Sequence, residues 1–425
     1  MQAVVNPLWV PATVWFEWGT TFDLGHLSAV TNVSGGEVLR RVSLPVSGLA
    51  GWQPFFYRVV ASNYLGVVRG PLQMSGLGTG VVAWGDNSSG QTNVPAGLTN
   101  VVAVAGGSSH SAALRSDGTV AAWGGNSFGQ TNLPAGLSNV VAVAGGTRHS
   151  AALQNDGTVV AWGSNSFGQT NVPVGLSNVV AIAAGSIHTL ALRNDGTVVA
   201  WGYNASGQTN VPADLVNAVA VAAGGSFSVA LRSDGTAVAW GLNNYGQVDV
   251  PADLTNAIAI AGGSYHSLAL RGDGTVTAWG RNNYGQTNVP PGLSNVVAIA
   301  VGASHSLALR RDGTFVAWGD NYYGQTNTPS GLDVVVGLAS GANHNLALNA
   351  GGLANPWIES LQRDTTGQWT LTLQSRRGSQ CEVLSSTNLQ QWTPLTIMTN
   401  PGGRIRWTDP ATNQIRSFYR MRQLP

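Results

Sequence analysis

The sequence has 425 residues, a formal net charge of +1 and only 9% charged residues. A typical soluble domain has about 25% charged residues, so asparagine, serine, threonine, glutamine and glycine must supply most of the polar surface. The balanced charge lacks the basic footprint of a nucleic-acid-binding or membrane-surface protein, and we expect neither partner. No apolar run approaches the roughly 18 residues of a membrane-spanning helix. The single cysteine, Cys381, excludes an intramolecular disulfide and a cysteine-built metal site.

Residues 1–75 alternate apolar and polar side chains in short runs, which predicts β-strands. The runs lie at 13–18, 38–44 and 55–61. The stretch Trp-Phe-Glu-Trp-Gly-Thr-Thr at 15–21 and the stretch Tyr-Arg-Val-Val-Ala-Ser-Asn at 57–63 resemble a bacterial fibronectin type III domain. The sequence begins about where the second strand of such a domain is expected. It therefore predicts a chain truncated at its N-terminus, which would explain why no signal peptide is present.

A 39-residue repeat fills residues 76–352. Ala-Trp-Gly recurs at this spacing, with its tryptophan at Trp84, Trp123, Trp162, Trp201, Trp240, Trp279 and Trp318. A histidine recurs at the same spacing, at His110, His149, His188, His266, His305 and His344. Phe227 takes the remaining histidine position. Gly-Gln follows each of these tryptophans and Asp-Gly marks six units, so the region consists of seven copies of one unit.

Each unit predicts a small antiparallel sheet. Its short apolar runs are bounded by Gly, Asn and Pro, and 39 residues divided in this way leave no room for a helix. Asp-Gly predicts a hairpin turn in which both central residues have positive φ. The recurring proline belongs on an outer edge strand or in a loop, because it cannot donate to a β-ladder. About 40 residues for a four-stranded sheet predicts a propeller, so the fold class is an all-β, seven-bladed β-propeller with two small flanking β-sandwich-like domains.

The ends of the repeat region predict that the ring closes. The region opens with a tryptophan strand near Val81 and finishes with a leucine strand at 344–348. In the other units these two strands are joined by the Asp-Gly turn. Pairing the first strand with the last would complete the seventh sheet and remove the exposed edges.

The repeat is similar to the regulator of chromosome condensation family of seven-bladed propellers. The resemblance rests on Ala-Gly-Gly-Ser-Tyr-His-Ser-Leu-Ala-Leu at 261–270, Asp-Gly-Thr at 273–275 and Ala-Trp-Gly-Arg-Asn-Asn-Tyr-Gly-Gln at 278–286. Within the family, the short unit with Gly-Gln-Thr-Asn-Val-Pro is most similar to the propeller-type secreted β-lactamase inhibitory proteins. The resemblance implies no guanine-nucleotide exchange, because no unit carries the insertion that forms the wedge of the nuclear exchange factors.

Residues 353–425 again alternate in short apolar runs, at 369–373, 381–384 and 417–420. The Ser-Ser-Thr-Asn-Leu-Gln-Gln-Trp stretch at 385–392 and Phe-Tyr-Arg at 418–420 resemble a small β-domain that ends many large secreted bacterial proteins. We therefore expect three domains, with residues 1–75 fibronectin type III-like, residues 76–352 the propeller and residues 353–425 a β-sandwich-like domain. The two flanking resemblances imply an extracellular or cell-surface location.

No motif in the sequence indicates catalysis, a cofactor or a metal. The repeated histidines lie in different blades, too far apart for the short bonds of a metal site, and we expect them to be half-buried and to bond neighbouring backbone groups. The Asp of each Asp-Gly turn is expected to serve turn geometry and not acid–base chemistry. The tryptophans are expected to pack between blades, where each ring would bury about 150–250 Å². We therefore expect a protein that is not an enzyme.

Two positions of the unit vary while its framework stays constant. The residue before Gly-Gln is aromatic in five units, at Phe128, Phe167, Tyr245, Tyr284 and Tyr323. The residue before the histidine position is serine in three units, and its candidate binding residues are the larger side chains Arg148, Ile187 and Tyr265. Both positions lie in loops at strand ends, so their copies would form a ring on one face of the propeller. Aromatic and arginine side chains among serine and asparagine, on a rigid scaffold, are typical of a protein-binding surface.

The sequence thus predicts a monomeric, secreted bacterial protein that binds another protein through one propeller face. Inhibition of a β-lactamase or a cell-wall enzyme is a more specific form of this hypothesis. Carbohydrate binding, with the same rings stacked on sugars, is an alternative from a different class. A structural spacer without a binding face is the third. The alternative interpretation of the aromatic residues is that they form no binding surface and only cover their own blade.

Overall fold

The computed structural model describes residues 80–329, 332 and 335–349 of the repeat region and shorter segments on either side. Those segments are 2–5, 12–19, 26–33, 40–43, 55–63, 66–69, 73–75, 357–363, 368–374, 380–386, 393–399, 404–409 and 418–423. Every regular secondary-structure element in this described part of the chain is a β-strand, which confirms the predicted all-β class. None of its elements is a helix with the length and apolar character needed to cross a membrane.

Contacts between residues divide the chain into two units. The first comprises residues 1–329 and 335–348, and the second comprises residues 330–334 and 349–425. The three-domain division stays a prediction.

Eight strands precede the repeats. They are β1 (Gln2–Val5), β2 (Ala12–Gly19), β3 (His26–Leu27), β4 (Thr31–Val33), β5 (Arg40–Ser43), β6 (Phe55–Asn63), β7 (Gly66–Arg69) and β8 (Gln73–Ser75). β1 pairs with β5, and the larger sheet has the order β3-β2-β6-β7, with β4 on β2 and β8 on β6. Val14 and Phe16 on β2 are completely buried, because alternate residues of this strand face the core.

The repeat region contains three kinds of strand. The first strand of each unit is β10 (Val101–Gly106), β13 (Val140–Gly145), β16 (Val179–Ala184), β19 (Ala218–Ala223), β22 (Ala257–Gly262), β25 (Val296–Val301) or β28 (Val335–Ser340). The middle strand is β11 (His110–Arg115), β14 (His149–Gln154), β17 (His188–Arg193), β20 (Phe227–Arg232), β23 (His266–Arg271), β26 (His305–Arg310) or β29 (His344–Asn349). The outer strand is β9 (Gly80–Gly85), β12 (Val120–Gly124), β15 (Val159–Gly163), β18 (Val198–Gly202), β21 (Ala237–Gly241), β24 (Val276–Gly280) or β27 (Phe315–Gly319).

These strands form seven antiparallel sheets within the described residues, from blade 1 (β10-β11-β12) to blade 7 (β28-β29-β9). The first strands contact one another around a full circle, β28 meeting β10. They surround a central channel of about 290 Å³ lined by small side chains such as Ala105, Ala144 and Ser264. In blade 7 the last strand of the region, β29, pairs with its first, β9, which confirms the predicted closure.

Each sheet has three strands in the described residues, so the four-stranded prediction is wrong. The segment between blades 1 and 2 uses its hydrogen bonds locally instead of in a ladder. The Gly129 N–H donates to the Asn126 carbonyl, and the Leu137 N–H donates to the carbonyl of Pro134. Because turns satisfy these backbone groups, no fourth strand is needed, and the recurring proline lies in a loop.

The predicted conformation of the Asp-Gly turns is also wrong in one respect. Gly118 has a φ of 80°, but Asp117 is absent from the residues with positive φ. The Asp117 carboxylate instead accepts hydrogen bonds from the Thr119 N–H at 2.9 Å and the Thr119 hydroxyl at 2.7 Å. Aspartate is therefore present as a hydrogen-bond acceptor that rigidifies the turn.

Tryptophan and leucine side chains of neighbouring blades form the propeller core. Trp240 of blade 4 packs with Leu190 and Leu192 of blade 3, and Trp123 of blade 1 packs with Leu346 of blade 7. All seven rings are less than 10% exposed. The core therefore lies between blades, and no blade can bury its own apolar surface alone.

The C-terminal unit contains β30 (Trp357–Arg363), β31 (Trp369–Gln374), β32 (Gln380–Ser386), β33 (Thr393–Thr399), β34 (Arg404–Thr408) and β35 (Phe418–Gln423). They form two sheets in its described segments, β30-β31-β34 and β33-β32-β35. Leu371 and Val383 are fully buried.

Candidate functional site

A repeated set of buried hydrogen bonds joins each blade to the next. Between blades 1 and 2, the Gln130 carbonyl accepts from the Trp162 indole N–H and the Ser150 hydroxyl, both at 2.9 Å. His110 Nε2 lies 2.9 Å from the same hydroxyl. We call this set of His, hydroxyl, Gln carbonyl and Trp the interblade clasp. Because the Ser150 proton goes to Gln130, the hydroxyl must accept from an Nε2–H of neutral His110.

The clasp is repeated around the ring. His149 bonds Thr189, His188 bonds Ser228, His266 bonds Ser306, His305 bonds Asn345, and His344 bonds Ser111 of blade 1. Phe227 interrupts the series. Opposite its ring, the Ser267 hydroxyl lies 3.4 Å from the Gln247 carbonyl, whereas the hydroxyl bonds of the other clasps measure 2.8 to 3.0 Å.

The clasp histidines are neutral structural groups, but the prediction that they are half-buried and bond neighbouring backbone groups is wrong, because each is fully buried and bonds a side chain of the next blade. Burial lowers the pKa to about 4 for His110, His188, His305 and His344 and to about 3 for His149 and His266. For His149 and His266, the charge of neighbouring histidines lowers the pKa further. Each Nδ1 lacks a hydrogen-bond partner among the described residues. No group of three or more His, Cys, Asp or Glu in that part of the chain is arranged to hold a metal ion.

The same glutamine positions the variable residue that precedes Gly-Gln. The buried Gln286 side-chain oxygen accepts the Tyr284 N–H at 2.9 Å, and Gln130 does the same for Phe128. Equivalent bonds are present in all seven units, to Ser89, Phe128, Phe167, Ser206, Tyr245, Tyr284 and Tyr323. A buried framework residue therefore fixes the backbone of an exposed variable one.

A third variable position, the residue after Trp-Gly, joins the other two at the same end of the propeller. Its N–H donates to the carbonyl of the residue before the histidine position, as from Arg281 to Tyr265 and from Tyr203 to Ile187, both at 2.9 Å. The three positions together form what we call the loop face. The Asp-Gly turns lie at the opposite ends of the strands, on what we call the turn face.

Three of the five predicted aromatic residues before Gly-Gln, Phe128, Phe167 and Tyr245, contact a side chain of the neighbouring blade. The five aromatic side chains before Gly-Gln are 42% to 54% exposed. The Arg148 guanidinium lies 4.4 Å from the Phe128 ring centre. Phe167 meets Tyr203 edge to face at 4.8 Å. These contacts cross from one blade to the next, so the rings form a shared surface in addition to covering their own loops.

The most extensive contact group surrounds Arg281. Its guanidinium carbon lies 4.9 Å from the Tyr245 ring centre, 5.4 Å from that of Tyr265 and 6.0 Å from that of Tyr284. Tyr245 and Tyr265 also meet edge to face at 5.3 Å. Tyr323 lies apart from this group, packed at 4.8 Å against Tyr322, whose side chain is 82% exposed.

The structure therefore places seven of the eight predicted partner-binding residues in four contact groups. Ile187 is half-buried and contributes its carbonyl, as described above. Sequence reasoning missed Tyr203, Arg281 and Tyr322. The signal for the first two was present, because the position after Trp-Gly varies through Asp, Gly, Ser, Tyr, Leu, Arg and Asp.

This geometry defines a class of protein, a closed seven-bladed propeller with a rigid framework and a variable aromatic loop face. The family model described as RCC1-like domain matches residues 81–357, and the chain belongs to this family. Comparison with curated proteins finds no match.

Several solved structures share the fold. Saccharomyces cerevisiae Prp20p, described with its binding to Gsp1p and histones, has a TM-score of 0.56 and 20% sequence identity, covering 64% of this chain and 91% of that one. Human WBSCR16 has a TM-score of 0.54 and 23% identity, covering 63% and 99%. The CRINKLY WD40 ectodomain of the Arabidopsis thaliana receptor kinase ACR4 has a TM-score of 0.51 and 24% identity, covering 60% and 93%.

Proposed function

We propose that this protein binds another protein through the loop face of its propeller and carries out no chemistry itself. The observation that carries the proposal is the placement of exposed aromatic rings on a backbone fixed by buried glutamines. Rings held in place lose little conformational entropy when a partner covers them. Aromatic and arginine residues are also the types most enriched at binding hot spots.

The solved relatives support a protein partner in general. Prp20p is described with binding to Gsp1p and histones, and yeast RCC1 (Prp20) was solved bound to Kap60. At about 20% identity these likenesses concern the fold, so the partner of this chain must be identified by its own surface. We propose that it differs from the partner of an exchange factor, because each unit keeps the 39-residue spacing without an insertion.

Affinity capture tests the proposal. An extract of secreted and periplasmic bacterial proteins is passed over the immobilised full chain. A second column carries the chain with Phe128, Phe167, Tyr245, Tyr284 and Tyr323 changed to serine. A control column carries Val174→Ser and Val216→Ser, which remove exposed apolar side chains outside the loop face.

A protein retained by the first and control columns and lost from the second is the expected result. Equal retention on all three columns, or none on any, would overturn the proposal and leave the spacer hypothesis. Polysaccharide retained in the same pattern would instead favour carbohydrate binding, in which the tyrosine rings stack on sugar faces.

The bacterial, secreted setting and the fibronectin type III-like flank are proposals that rest on sequence resemblance. The same holds for inhibition of a β-lactamase or a cell-wall enzyme. A β-lactamase assay with increasing concentrations of the full chain tests the inhibitor proposal directly. Saturable inhibition that the five serine substitutions abolish supports it, and unchanged hydrolysis contradicts it.

A further inference from the structure

Arg281 differs from the other cations of the propeller in its surroundings. Three tyrosine rings lie within 6.0 Å of its guanidinium carbon. Tyr245 and Tyr284 are 44% and 54% exposed, whereas Tyr265 and Arg281 are half-buried. The rings therefore hold the guanidinium at the surface in a partly apolar environment, where a charge-assisted hydrogen bond is stronger than in bulk water.

One hydrogen-bond donor of Arg281 is buried and unpaired within the described part of the chain. Its Nε is buried and lacks a hydrogen-bond partner among the described residues. A guanidinium has five N–H donors, and aromatic faces do not replace the oxygen acceptors they require. An unsatisfied buried donor is costly, so the arrangement favours a ligand that supplies acceptor oxygens.

Two arginines of the turn face are arranged differently, whereas Arg193 on that face shares with Arg281 a buried Nε without a partner among the described residues. Arg271 donates to the Asp253 carboxylate at 3.1 Å, and Arg232 lies 3.7 Å from the carboxylate of Asp214. Each of these two arginines therefore has an acidic partner within the chain. The contrast shows that the repeat can supply an acid to an arginine and that it supplies none to Arg281 in the part of the chain described.

The charges around Arg281 favour a single carboxylate over a polyanion. Arg148, the other arginine among the variable loop-face positions, belongs to blade 2 and stacks on Phe128, whereas Arg281 belongs to blade 5. Asp86 and Asp320 occupy the equivalent position after Trp-Gly in blades 7 and 6. A nucleic acid needs several cations along its backbone, and this face offers isolated cations and two carboxylates.

We propose that Arg281, Tyr245, Tyr265 and Tyr284 form a carboxylate-binding site that receives an aspartate or glutamate side chain of the partner protein. The guanidinium donates to the carboxylate oxygens, and the tyrosine rings cover the side-chain methylenes and exclude water. This inference rests on the proposed function and specifies which partner group the loop face recognises.

Arginine side-chain NMR tests the site without knowledge of the partner. The full chain, labelled with ¹⁵N-arginine, is titrated with the peptide Ac-Gly-Glu-Gly-NH₂ at constant ionic strength. The uncharged peptide Ac-Gly-Gln-Gly-NH₂ is the matched control, and the spectrum of Arg281→Lys assigns the Arg281 resonance. We expect a saturable shift of the Arg281 Nε–H signal, an affinity at least tenfold higher than for the glutamine peptide, and no shift of the Arg271 signal.

Two substitutions make the test specific to the rings. Tyr245→Ala and Tyr284→Ala should each weaken glutamate-peptide binding several-fold while the other arginine signals, Arg271 included, stay in place. An unmoved Arg281 signal, an equal response to the two peptides, or tighter binding of inorganic phosphate than of the glutamate peptide would overturn the inference. Partner capture that still depends on the five aromatic residues would then leave the proposed function standing, so the two failures are distinguishable.

Discussion

His344 of blade 7 donates through Nε2 to the hydroxyl of Ser111 in blade 1 across 2.9 Å, joining residues 233 positions apart. The Ser111 hydroxyl passes its own proton to the Gln91 carbonyl at 2.8 Å. The clasp that links consecutive blades thus also closes the ring, in addition to the pairing of β29 with β9. Closure uses the same chemistry as every other blade junction.

Ser111→Ala should therefore destabilise the closed ring. It leaves the buried His344 N–H without an acceptor, a loss that typically costs about 1–3 kcal/mol of unfolding free energy. Urea unfolding at pH 8 measures the change. Ser267→Ala is the matched control, because Phe227 gives its hydroxyl no histidine partner and its bond to Gln247 is 3.4 Å long. Equal losses for the two variants would contradict the role assigned to the clasp.

Stability should fall steeply below about pH 6.5. An unfolded histidine takes up a proton near that pH, whereas burial holds the folded pKa of the clasp histidines at about 3 to 4. The unfolded state therefore binds more protons between these limits, and each histidine contributes a slope of up to about 1.4 kcal/mol per pH unit. The negative charges of Asp86 and Asp320 partly counteract the lowering of the pKa of His344 and His305, respectively.

Urea unfolding at pH 7.5, 6.5, 5.5 and 4.5 gives this slope. His110→Phe reproduces the phenylalanine that the chain has at position 227. Because it removes one titrating histidine, the slope should fall by up to about 1.4 kcal/mol per pH unit. A stability that stays constant down to pH 4.5 would show that the histidines are accessible to protons in the folded state.

Gly107→Ala should be strongly destabilising, because a methyl group there would overlap the buried His110 ring and the Gly146 carbonyl. Overpacking of this kind costs about 1–3 kcal/mol or more. Gly80→Ala is the control, since a methyl group at Gly80 meets nothing within 4 Å. Thermal unfolding should show a clear fall in Tm for the first variant and little change for the second. A similar Tm for both would mean that the histidine ring can move away.

Gln286→Met should loosen the loop that carries Tyr284 while keeping the main-chain carbonyl that accepts the Trp318 indole N–H. Hydrogen exchange of the Tyr284 amide should accelerate, because that N–H loses its acceptor. The Tyr245 amide, held by Gln247, should exchange at its original rate. Acceleration of both amides would indicate general destabilisation and not a local role for the glutamine.

The sequence predicted the fold well because the propeller repeats its signals. Seven copies of Trp84 and its equivalents fixed the number and phase of the blades, and the missing Asp-Gly link between the last and first strands predicted closure. The prediction of a fourth strand was wrong because apolar alternation does not show which groups the backbone N–H and carbonyl groups bond. The bond from the Gly129 N–H to the Asn126 carbonyl belongs to a turn that periodicity cannot distinguish from an edge strand.

The candidate site was predicted in part for a similar reason. Variation within the repeat identified Tyr245 and Tyr265, which do meet in space. Arg281 lay at a third variable position, but its contact with rings of two blades depends on how neighbouring blades pack. The spacing of 39 residues gives no distances between one blade and the next.

The pairing of β29 with β9 imposes an order on biosynthesis. As the ribosome releases the chain, β9 emerges long before β29, the strand with which it pairs in the finished ring. It has to keep an unpaired edge while blades 1 to 6 assemble, and its partner arrives only when residue 349 has emerged. A nascent chain that stalls inside the repeats therefore exposes a strand ready to pair with another molecule, and the whole array should depend on chaperones most strongly just before its last blade is made.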